Sequence, residues 1–282
     1  MKKKVNHSKP PRPSRFQKII QDIESVKVQG AENVARAGIR AFLLKPTKAA
    51  AKRINKTRPT EPLLQNALKQ LLKSKNPKKN AEKFLKNLKK AHDTISRKGS
   101  MLIRNGMNVY THCHSSTVID ILKYAKRKRK KRFVVYTSEV EPLLQGRMTA
   151  KDLARAGIKV IVTPDLGAEH ALKKCDLLLF GADAFTKNSV ANKLGTNTLT
   201  RIAKEHSIPR YSCGVSKKFT KKLKIEKRSG REVWDEREDK IIVINPAFDK
   251  TPLKMLSGVV SELGVLPPKK FVKEVVKSLK KK

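Results

Sequence analysis

From about residue 106 onward, short apolar segments alternate with segments of helical periodicity, and this alternation restricts the chain to few folds. Strand–helix alternation at this spacing indicates a parallel sheet with right-handed crossovers. We therefore predict an α/β protein with a Rossmann-like parallel sheet domain over residues 99–268. The candidate strands are Asn108–His112, Phe133–Thr137, Lys159–Thr163, Asp176–Phe180, Arg210–Cys213 and Ile241–Ile244. The candidate helices between and after them are Thr117–Lys126, Ala150–Ala156, Ala168–Lys174, Val190–His206 and Pro252–Leu263.

Residues 14–98 have helical periodicity throughout and predict an N-terminal helical domain ahead of the sheet. Its four apolar segments contain Phe16 to Ile23, Val34 to Leu44, Leu63 to Leu72 and Phe84 to Ala91. The two ends of the chain differ from these segments and from each other in composition. Residues 1–13 are basic and proline-rich and predict a disordered arm, whereas residues 269–282 read as a lysine-rich tail with at most a short frayed helix.

The formal net charge of +42, from 66 basic and 24 acidic residues, predicts attraction to polyanions such as RNA and phosphorylated metabolites. Eight of the ten residues in 123–132 are basic. A general basic bias of the source is an equal alternative to nucleic-acid contact. Aromatic residues make up only 5% and do not interleave with the basic runs, which disfavours a single-strand stacking platform. No apolar run is long enough to span a membrane and no signal region follows the basic start, so we expect a cytoplasmic protein.

The three cysteines, Cys113, Cys175 and Cys213, are widely spaced and include no C-x-x-C pair, which disfavours disulfides and structural zinc. His112-Cys113-His114 contains three metal-ligand types. In a strand, however, neighbouring side chains point to opposite faces, so the three would not share one face. We predict no metal site.

Cys113 and Asp183 are the two residues past strand ends that could carry proton chemistry, because ligands bind at the carboxyl ends of parallel strands. Cys113 precedes a helix opened by Ser115 or Ser116, and a helix N-terminus favours a thiolate. Asp183 follows the most hydrophobic strand, where desolvation would raise its pKa and suit it to acid–base work. The alternative is a structural thiol and a capping carboxylate.

Asn192-Lys193 is predicted to open the long helix after Asp183, where a lysine could bind phosphate. The chain has no G-x-G-x-x-G and no P-loop, so dinucleotide binding and Walker-type nucleotide hydrolysis are disfavoured.

Five motifs in order along the chain resemble one known family. They are Thr111 to Ser115 (THCHS), Gln145 to Ala150 (QGRMTA), Gly181 to Ala184 (GADA), Asn192 to Thr196 (NKLGT) and Asn245 to Pro252 (NPAFDKTP). This family contains ribose-1,5-bisphosphate isomerase, methylthioribose-1-phosphate isomerase and the alpha, beta and delta subunits of translation initiation factor 2B. The likeness runs from about Val26 to Gly264.

The resemblance implies a set of site residues and partners. Cys113 and Asp183 match the signature residues of the family's enzymes, which convert a phosphorylated aldose to a ketose. By resemblance, Cys113 would move a proton at carbon and Asp183 one at oxygen. Further expectations are a homo-oligomer, a dimer or a hexamer, and no metal, nicotinamide or other cofactor. The residues implied in contact with substrate phosphate or hydroxyls are Gly30, Ala31, Arg58, Asn192 and Lys193.

Two departures from the family's motifs concern phosphate binding. Gln29 stands where the phosphate loop usually has arginine, and Glu141 stands where a Glu-Thr-Arg-Pro motif has arginine. Losing bidentate arginine contacts weakens a phosphate site, and a carboxylate nearby would repel the ligand.

Two functions remain open at this point. The retained Cys113 and Asp183 pair favours a sugar-phosphate isomerase, most like ribose-1,5-bisphosphate isomerase. The net charge and the two departures favour a non-catalytic protein resembling an initiation factor 2B subunit, which would bind initiation factor 2 or RNA.

Overall fold

Five helices precede the sheet in the computed structural model, which describes residues 13–236 and 238–280. Nearly all of the predicted basic arm, residues 1–12, lies outside the described residues. Sequence periodicity predicted four of the five helices and missed α3, whose alanine-rich buried face gives a weak apolar signal. The five are α1 (Arg15–Glu24), α2 (Ala31–Leu44), α3 (Lys48–Thr57), α4 (Pro62–Leu72) and α5 (Pro77–Gly99).

Side-chain caps explain where several of these helices begin. Ser14 and Gln17 form a reciprocal capping box at α1, and Thr47 accepts from the Ala50 amide at α3. The Asn76 side chain accepts from the Lys79 amide at the start of α5, whose first residue is Pro77.

A seven-stranded sheet follows the helices. Its strands are β1 (Asn108–His112), β2 (Val134–Ser138), β3 (Lys159–Thr163), β4 (Leu177–Gly181), β7 (Arg210–Cys213), β9 (Gly258–Ser261) and β10 (Gly264–Leu266). Their order in the sheet is β10-β9-β7-β4-β1-β2-β3. All neighbouring pairs are parallel except β9 with β10, which confirms the predicted α/β class. The helices around it are α6 (Ser116–Arg127), α7 (Gln145–Ala154), α8 (Ala168–Leu172), α9 (Thr196–Glu205) and α10 (Pro268–Lys280).

A small antiparallel sheet, which the sequence analysis did not predict, holds β5 (Ala184–Phe185), β6 (Ser189–Lys193) and β8 (Phe248–Pro252). The predicted helix Val190–His206 is therefore wrong in its first part. Gly195, in a backbone conformation with φ of 97°, separates the end of β6 from the start of α9.

Two further predictions near the carboxyl end are wrong. Ile241–Ile244 forms no strand, and Ile242 and Ile244 are 88% and 80% exposed because no sheet neighbour covers this segment. Pro252–Leu263 is not a helix. Its buried β-branched residues Val259 and Val260 lie in β9, which pairs with β7.

The two faces of the large sheet pack against different helices. In β4, Leu177 and Leu179 join one hydrophobic cluster, whereas Leu178 and Phe180 join the other. The first cluster is continuous with helices α1 to α6, so the helical segment and the sheet share one core. The division near residue 98 thus separates two kinds of structure that are packed together.

The segment predicted as a lysine-rich tail is part of the second cluster. Phe271 and Val275 of α10 are buried, and the Phe271 ring lies 4.9 Å from that of Phe185. Apolar residues at i and i+4 give α10 a face that packs on the sheet, which corrects the expectation of a frayed tail. Across the described part of the chain, no helix is both long and apolar enough to cross a membrane.

Candidate active site

A cleft of about 930 Å³, including its open mouth, lies between the helical segment and the carboxyl ends of β1 and β4. Every site residue predicted from the sequence lines it. These residues are Gly30, Ala31, Arg58, Cys113, Asp183, Asn192 and Lys193. The fold thus brings residues that are far apart in the chain to the edge of the sheet where ligands of parallel α/β proteins bind.

Cys113 lies in a tight turn directly after β1, with a positive φ of 67°. The Thr149 hydroxyl holds this turn by donating to the Cys113 carbonyl over 2.8 Å, and Ser115 caps α6. Burial and the nearby charge of Asp183 raise the thiol pKa to about 12. The expectation of a thiolate stabilised by the helix N-terminus is therefore wrong, and Cys113 is a protonated thiol at neutral pH.

Asp183 follows β4 with only Ala182 between them, and its amide donates to the Ala191 carbonyl over 2.9 Å. Burial raises the pKa of its carboxyl, while the charges of Lys218, Arg58 and Lys193 act against the shift. The raised pKa of Asp183 agrees with the expectation from the sequence. Asp183 is a stronger base than an exposed aspartate, and its charge acts on the Cys113 thiol.

Asn192 and Lys193 lie at the end of β6 and do not open a helix as predicted. The Asn192 amide donates to the Thr196 hydroxyl over 3.0 Å, which fixes its orientation. Lys193 is only 7% exposed, and within the described residues its ammonium has no hydrogen bond or ion pair. A buried cation with unused donors is suited to bind an anion.

Arg58 is held by two carboxylates. Its guanidinium donates to Glu226 over 3.0 Å and to Glu61 over 3.1 Å, and all three residues are buried. The Thr60 hydroxyl ties the same segments together, because it accepts from the Glu226 amide over 2.8 Å. Arg58, which was predicted to contact the substrate, therefore has much of its hydrogen-bonding capacity taken up by Glu226 and Glu61.

Gly30 provides the start of α2 with a φ of 82°, and Gln29, Gly30 and Ala31 all line the cleft. The next residue, Glu32, also lines it. Although burial opposes the change, His92 and Arg36 lower the pKa of Glu32 to about 2, so this carboxylate is charged at the helix N-terminus.

Glu141 is exposed and lies outside the residues that line the cleft, with its amide bound to Asp165 over 2.8 Å. The expected repulsion of a cleft ligand by Glu141 is therefore not supported. Leu143 and Gln145 of the same segment line the cleft instead.

Several cleft residues were missed by the sequence analysis. Glu61 is fully buried with one unpartnered carboxylate oxygen, and burial and Asp183 raise its pKa to about 8. Lys218 donates to the Ala182 carbonyl beside Asp183. Arg228 binds Glu232 over 3.2 Å. For Glu61, the available signal was an acidic residue directly after Arg58-Pro59-Thr60 in a chain that is poor in acidic residues.

The His112-Cys113-His114 segment does not form a metal site. The His112 ring donates from Nε2 to the Leu194 carbonyl over 2.9 Å, whereas His114 Nδ1 lies 3.1 Å from the Thr149 hydroxyl. Burial lowers the pKa of His112 to about 4, which keeps it neutral. In residues 13–236 and 238–280, no cluster of three histidine, cysteine or acidic side chains is arranged to hold a metal ion.

The fold agrees with comparisons to known proteins. A sequence model of the Initiation factor 2 subunit family matches residues 16–268, and the chain belongs to this family. The chain is 31% identical to ribose 1,5-bisphosphate isomerase of Methanocaldococcus jannaschii, over 88% of this chain and 90% of that protein. It is 33% identical to the Thermococcus kodakarensis protein of that name, over 89% and 90%.

Other relatives carry initiation factor names. A putative translation initiation factor eIF-2B subunit 2-like protein of Pyrococcus furiosus is 31% identical, over 92% of this chain and 99% of that protein. The crystal structure of a Pyrococcus horikoshii OT3 translation initiation factor eIF-2B matches with a TM-score of 0.84 and 28% identity, over 92% and 99%. That of 5-methylthioribose 1-phosphate isomerase from the same organism matches with a TM-score of 0.78 and 25% identity, over 94% and 88%.

Proposed function

We propose that this protein is a sugar-phosphate aldose–ketose isomerase whose substrate is ribose 1,5-bisphosphate, with ribulose 1,5-bisphosphate as product. The observation that carries the proposal is the juxtaposition of Cys113 and Asp183 in one cleft, beside the buried ammonium of Lys193. An acid, a base and an anion-binding cation at one point are what the reaction needs. The relatives that are named ribose 1,5-bisphosphate isomerase and match over most of their length support the same choice.

The isomerisation of a cyclic aldose 1-phosphate moves one hydrogen from C2 to C1 and breaks the bond between C1 and the ring oxygen. It also moves a proton from the C2 hydroxyl to the ring oxygen. With a pKa of about 12, Cys113 is protonated and would donate its proton to the ring oxygen as the bond breaks. Asp183, with its raised pKa, would accept the proton of the C2 hydroxyl. This assignment moves the role of Cys113 from carbon, where the sequence analysis put it, to oxygen.

Phosphate binding would fall to Lys193 and to the amino-terminal turn of α2 behind Gly30 and Ala31. Backbone amides at a helix start bind anions, although Glu32 charges the same turn negatively. Asn192, fixed by Thr196, would orient a sugar hydroxyl.

The test is to incubate the purified protein with ribose 1,5-bisphosphate and follow ribulose 1,5-bisphosphate by NMR. Cys113→Ser and Asp183→Asn should lose product formation. Cys175→Ser is the matched control, because Cys175 is buried away from the cleft and its thiol donates to the Ala171 carbonyl as a serine would. Product from Cys113→Ser at the native rate would remove Cys113 from the mechanism.

A second candidate is a non-catalytic protein resembling an initiation factor 2B subunit, and the charge of the cleft favours it. Five carboxylates line the cleft, and the guanidinium groups of Arg58 and Arg228 are already bound by three of them. Absence of product from the folded native protein, together with its co-purification with initiation factor 2, would support this candidate. The carboxylates that line the cleft are Glu32, Glu61, Asp183, Glu226 and Glu232.

We also propose that the protein forms a homodimer or a hexamer. Large apolar side chains are exposed along one segment, with Trp234 at 48%, Ile242 at 88% and Ile244 at 80%. An exposed group of this kind is typical of an interface. Sedimentation of the native protein should give at least a dimer, and Trp234→Ser with Ile242→Ser should shift it towards the monomer.

A further inference from the structure

We propose that the amino-terminal edge of the seven-stranded sheet, at the opposite end from the cleft, binds the phosphodiester backbone of a nucleic-acid duplex. The centre of this surface is the basic segment, which we define as residues 126–132, with the sequence KRKRKKR. The isomerase reaction has no use for this surface.

The basic segment concentrates seven consecutive cations at one exposed turn. It begins in the last turn of α6 and continues to Arg132, two residues before β2. Arg127, Lys128, Arg129, Lys130 and Arg132 are exposed, and Lys126 and Lys131 are half-buried. Cations in the last turn of a helix stabilise its carboxyl end. That explanation covers Lys126 and Arg127 but not the five cations beyond the helix.

The segment has an ordered backbone. The amides of Lys128 and Arg129 both donate to the Tyr124 carbonyl, over 2.9 and 3.2 Å, and the amide of Lys131 donates to the Ala125 carbonyl over 3.0 Å. The backbone positions that carry the cations are therefore fixed before any partner binds, which reduces the backbone entropy lost on binding.

The sheet topology adds cations on either side. The turn that contains exposed Arg104 is bound to the segment, because the Gly106 amide donates to the Arg132 carbonyl over 2.8 Å. Lys159, also exposed, begins β3 and is aligned with Val134 of β2. Seven cations of the segment, with Arg104 and Lys159, make nine on one edge.

The acidic groups near this edge do not neutralise its positive charge. Among the described residues, none of the nine cations takes part in an ion pair. Asp152 faces Arg155 and His114 at 3.9 Å, and Asp176 accepts the Asn108 amide. Gathering like charges on one surface costs free energy because they repel each other. A polyanionic partner would relieve this repulsion, and its released counterions would favour binding further.

The composition of the segment identifies the kind of polyanion. It contains no aromatic or apolar residue, so it has neither the stacking platform of single-strand binders nor the inserted side chains of membrane-binding segments. A closely spaced group of lysine and arginine side chains on an ordered backbone instead fits the regular phosphates of a duplex. Such contacts position the duplex without reading its sequence.

The surface and the cleft are independent sites. Strands β1 and β2 have five residues each, so the two edges of the sheet are separated by about 17 Å. Changes to the basic segment should therefore leave product formation in the cleft unchanged.

The test measures binding of fluorescent duplexes of roughly 20 base pairs, RNA and DNA of the same sequence, as a function of salt. The test variant replaces Arg127, Lys128, Arg129 and Arg132 by glutamine. A matched control variant replaces four exposed lysines along α5, Lys79, Lys83, Lys86 and Lys90, by glutamine and so removes the same charge. Thermal unfolding confirms that both variants are folded.

We expect the test variant to reduce the slope of log K against log salt by about 3 to 4, and the control to change it by less than about 1. Binding of both duplexes identifies backbone contact, and binding of RNA alone identifies A-form geometry as the feature recognised. Equal loss in the two variants would overturn the proposal, since net charge alone would then explain binding. Preference for single-stranded RNA, for phosphatidylserine vesicles or for polyglutamate would also overturn it.

Discussion

Arg58 and Glu226 are 168 positions apart in the chain and form a buried ion pair, with Nε of Arg58 3.0 Å from Oε1 of Glu226. The pair joins the loop before α4 to the segment after β7, on one wall of the cleft. Glu61 completes the group, with its Oε1 3.1 Å from Nη2 of the same guanidinium. Burial raises the pKa of both carboxyls, and the charge of Arg58 opposes that rise.

We expect Arg58→Ala to lower the free energy of unfolding by about 3–5 kcal/mol at pH 8, because two buried carboxylates lose their cation. The loss should shrink at pH 5, where those carboxyls can take up protons. Denaturant unfolding at the two pH values measures both effects. Arg36→Ala is the control, since Arg36 is partly exposed and its removal from Glu32 should cost about 1 kcal/mol or less. Equal effects of the two substitutions would contradict a structural role for the buried group.

Glu61→Gln should make the protein less sensitive to pH. The ordinary pKa of Glu61 is 4.5, and burial and Asp183 raise it to about 8 in the folded protein. Between these values the folded state binds more protons than the unfolded state, so this group makes stability fall as pH rises from 4.5 to 8. The glutamine side chain cannot ionise, so the substitution removes that contribution.

The measurement for Glu61→Gln is the melting temperature between pH 5 and pH 8. The substitution should raise it most at pH 8, by about 2–4 °C for each kcal/mol gained. Asp22→Asn, on α1, is a control for the general loss of one negative charge. A native pH slope in Glu61→Gln would show that Glu61 titrates normally.

Most of the sheet could be predicted from the sequence because its strands are short, rich in β-branched and other apolar residues, and separated by helical segments. Asn108–His112, Lys159–Thr163 and Arg210–Cys213 have the predicted bounds. Ile241–Ile244 has the same local pattern but is exposed, whereas Gly258–Ser261 occupies the strand position beside β7. Which of two apolar segments pairs with β7 depends on tertiary contacts that local periodicity does not contain.

The sequence predicted several residues of the cleft correctly, but it did not predict their protonation states or ion pairs. The strand-end rule and the resemblance together brought Cys113 and Asp183 to one edge of the sheet. The state of the thiol, however, depends on whether burial and a close carboxylate outweigh a helix N-terminus, and this needs three-dimensional positions. The ion pair between Arg58 and Glu226 could not be predicted either, because neither sequence segment indicates a contact with the other.

Alkylation of Cys113 should be slow at neutral pH and should accelerate in Asp183→Asn. With a pKa of about 12 the thiolate is scarce, and removing the Asp183 charge lowers that pKa. Each unit of lowering gives about tenfold more thiolate below the pKa. Peptide mapping after iodoacetamide treatment, from pH 7 to pH 10, measures the rate at each cysteine.

Cys175 serves as the internal control for Cys113, because its pKa is also raised to about 12 by burial but it lies away from Asp183. Its alkylation rate should be the same in the native protein and in Asp183→Asn. A parallel increase at both cysteines would indicate general opening of the fold, and no increase at Cys113 would show that Asp183 does not act on the thiol.

Lys193→Gln should weaken binding of ribose 1,5-bisphosphate by about 10- to 100-fold, because a charged hydrogen bond to phosphate contributes about 1.5–3 kcal/mol. The substitution leaves Arg58 and Arg228 bound to their carboxylates, so neither guanidinium is released to replace the ammonium. Calorimetric titration in Cys113→Ser separates binding from turnover. Lys187→Gln, in the exposed β5–β6 turn on the way to Lys193, removes one charge outside the cleft and should bind like the parent. Equal affinity of the Lys193 and Lys187 variants would mean that the phosphate is held elsewhere, at the start of α2.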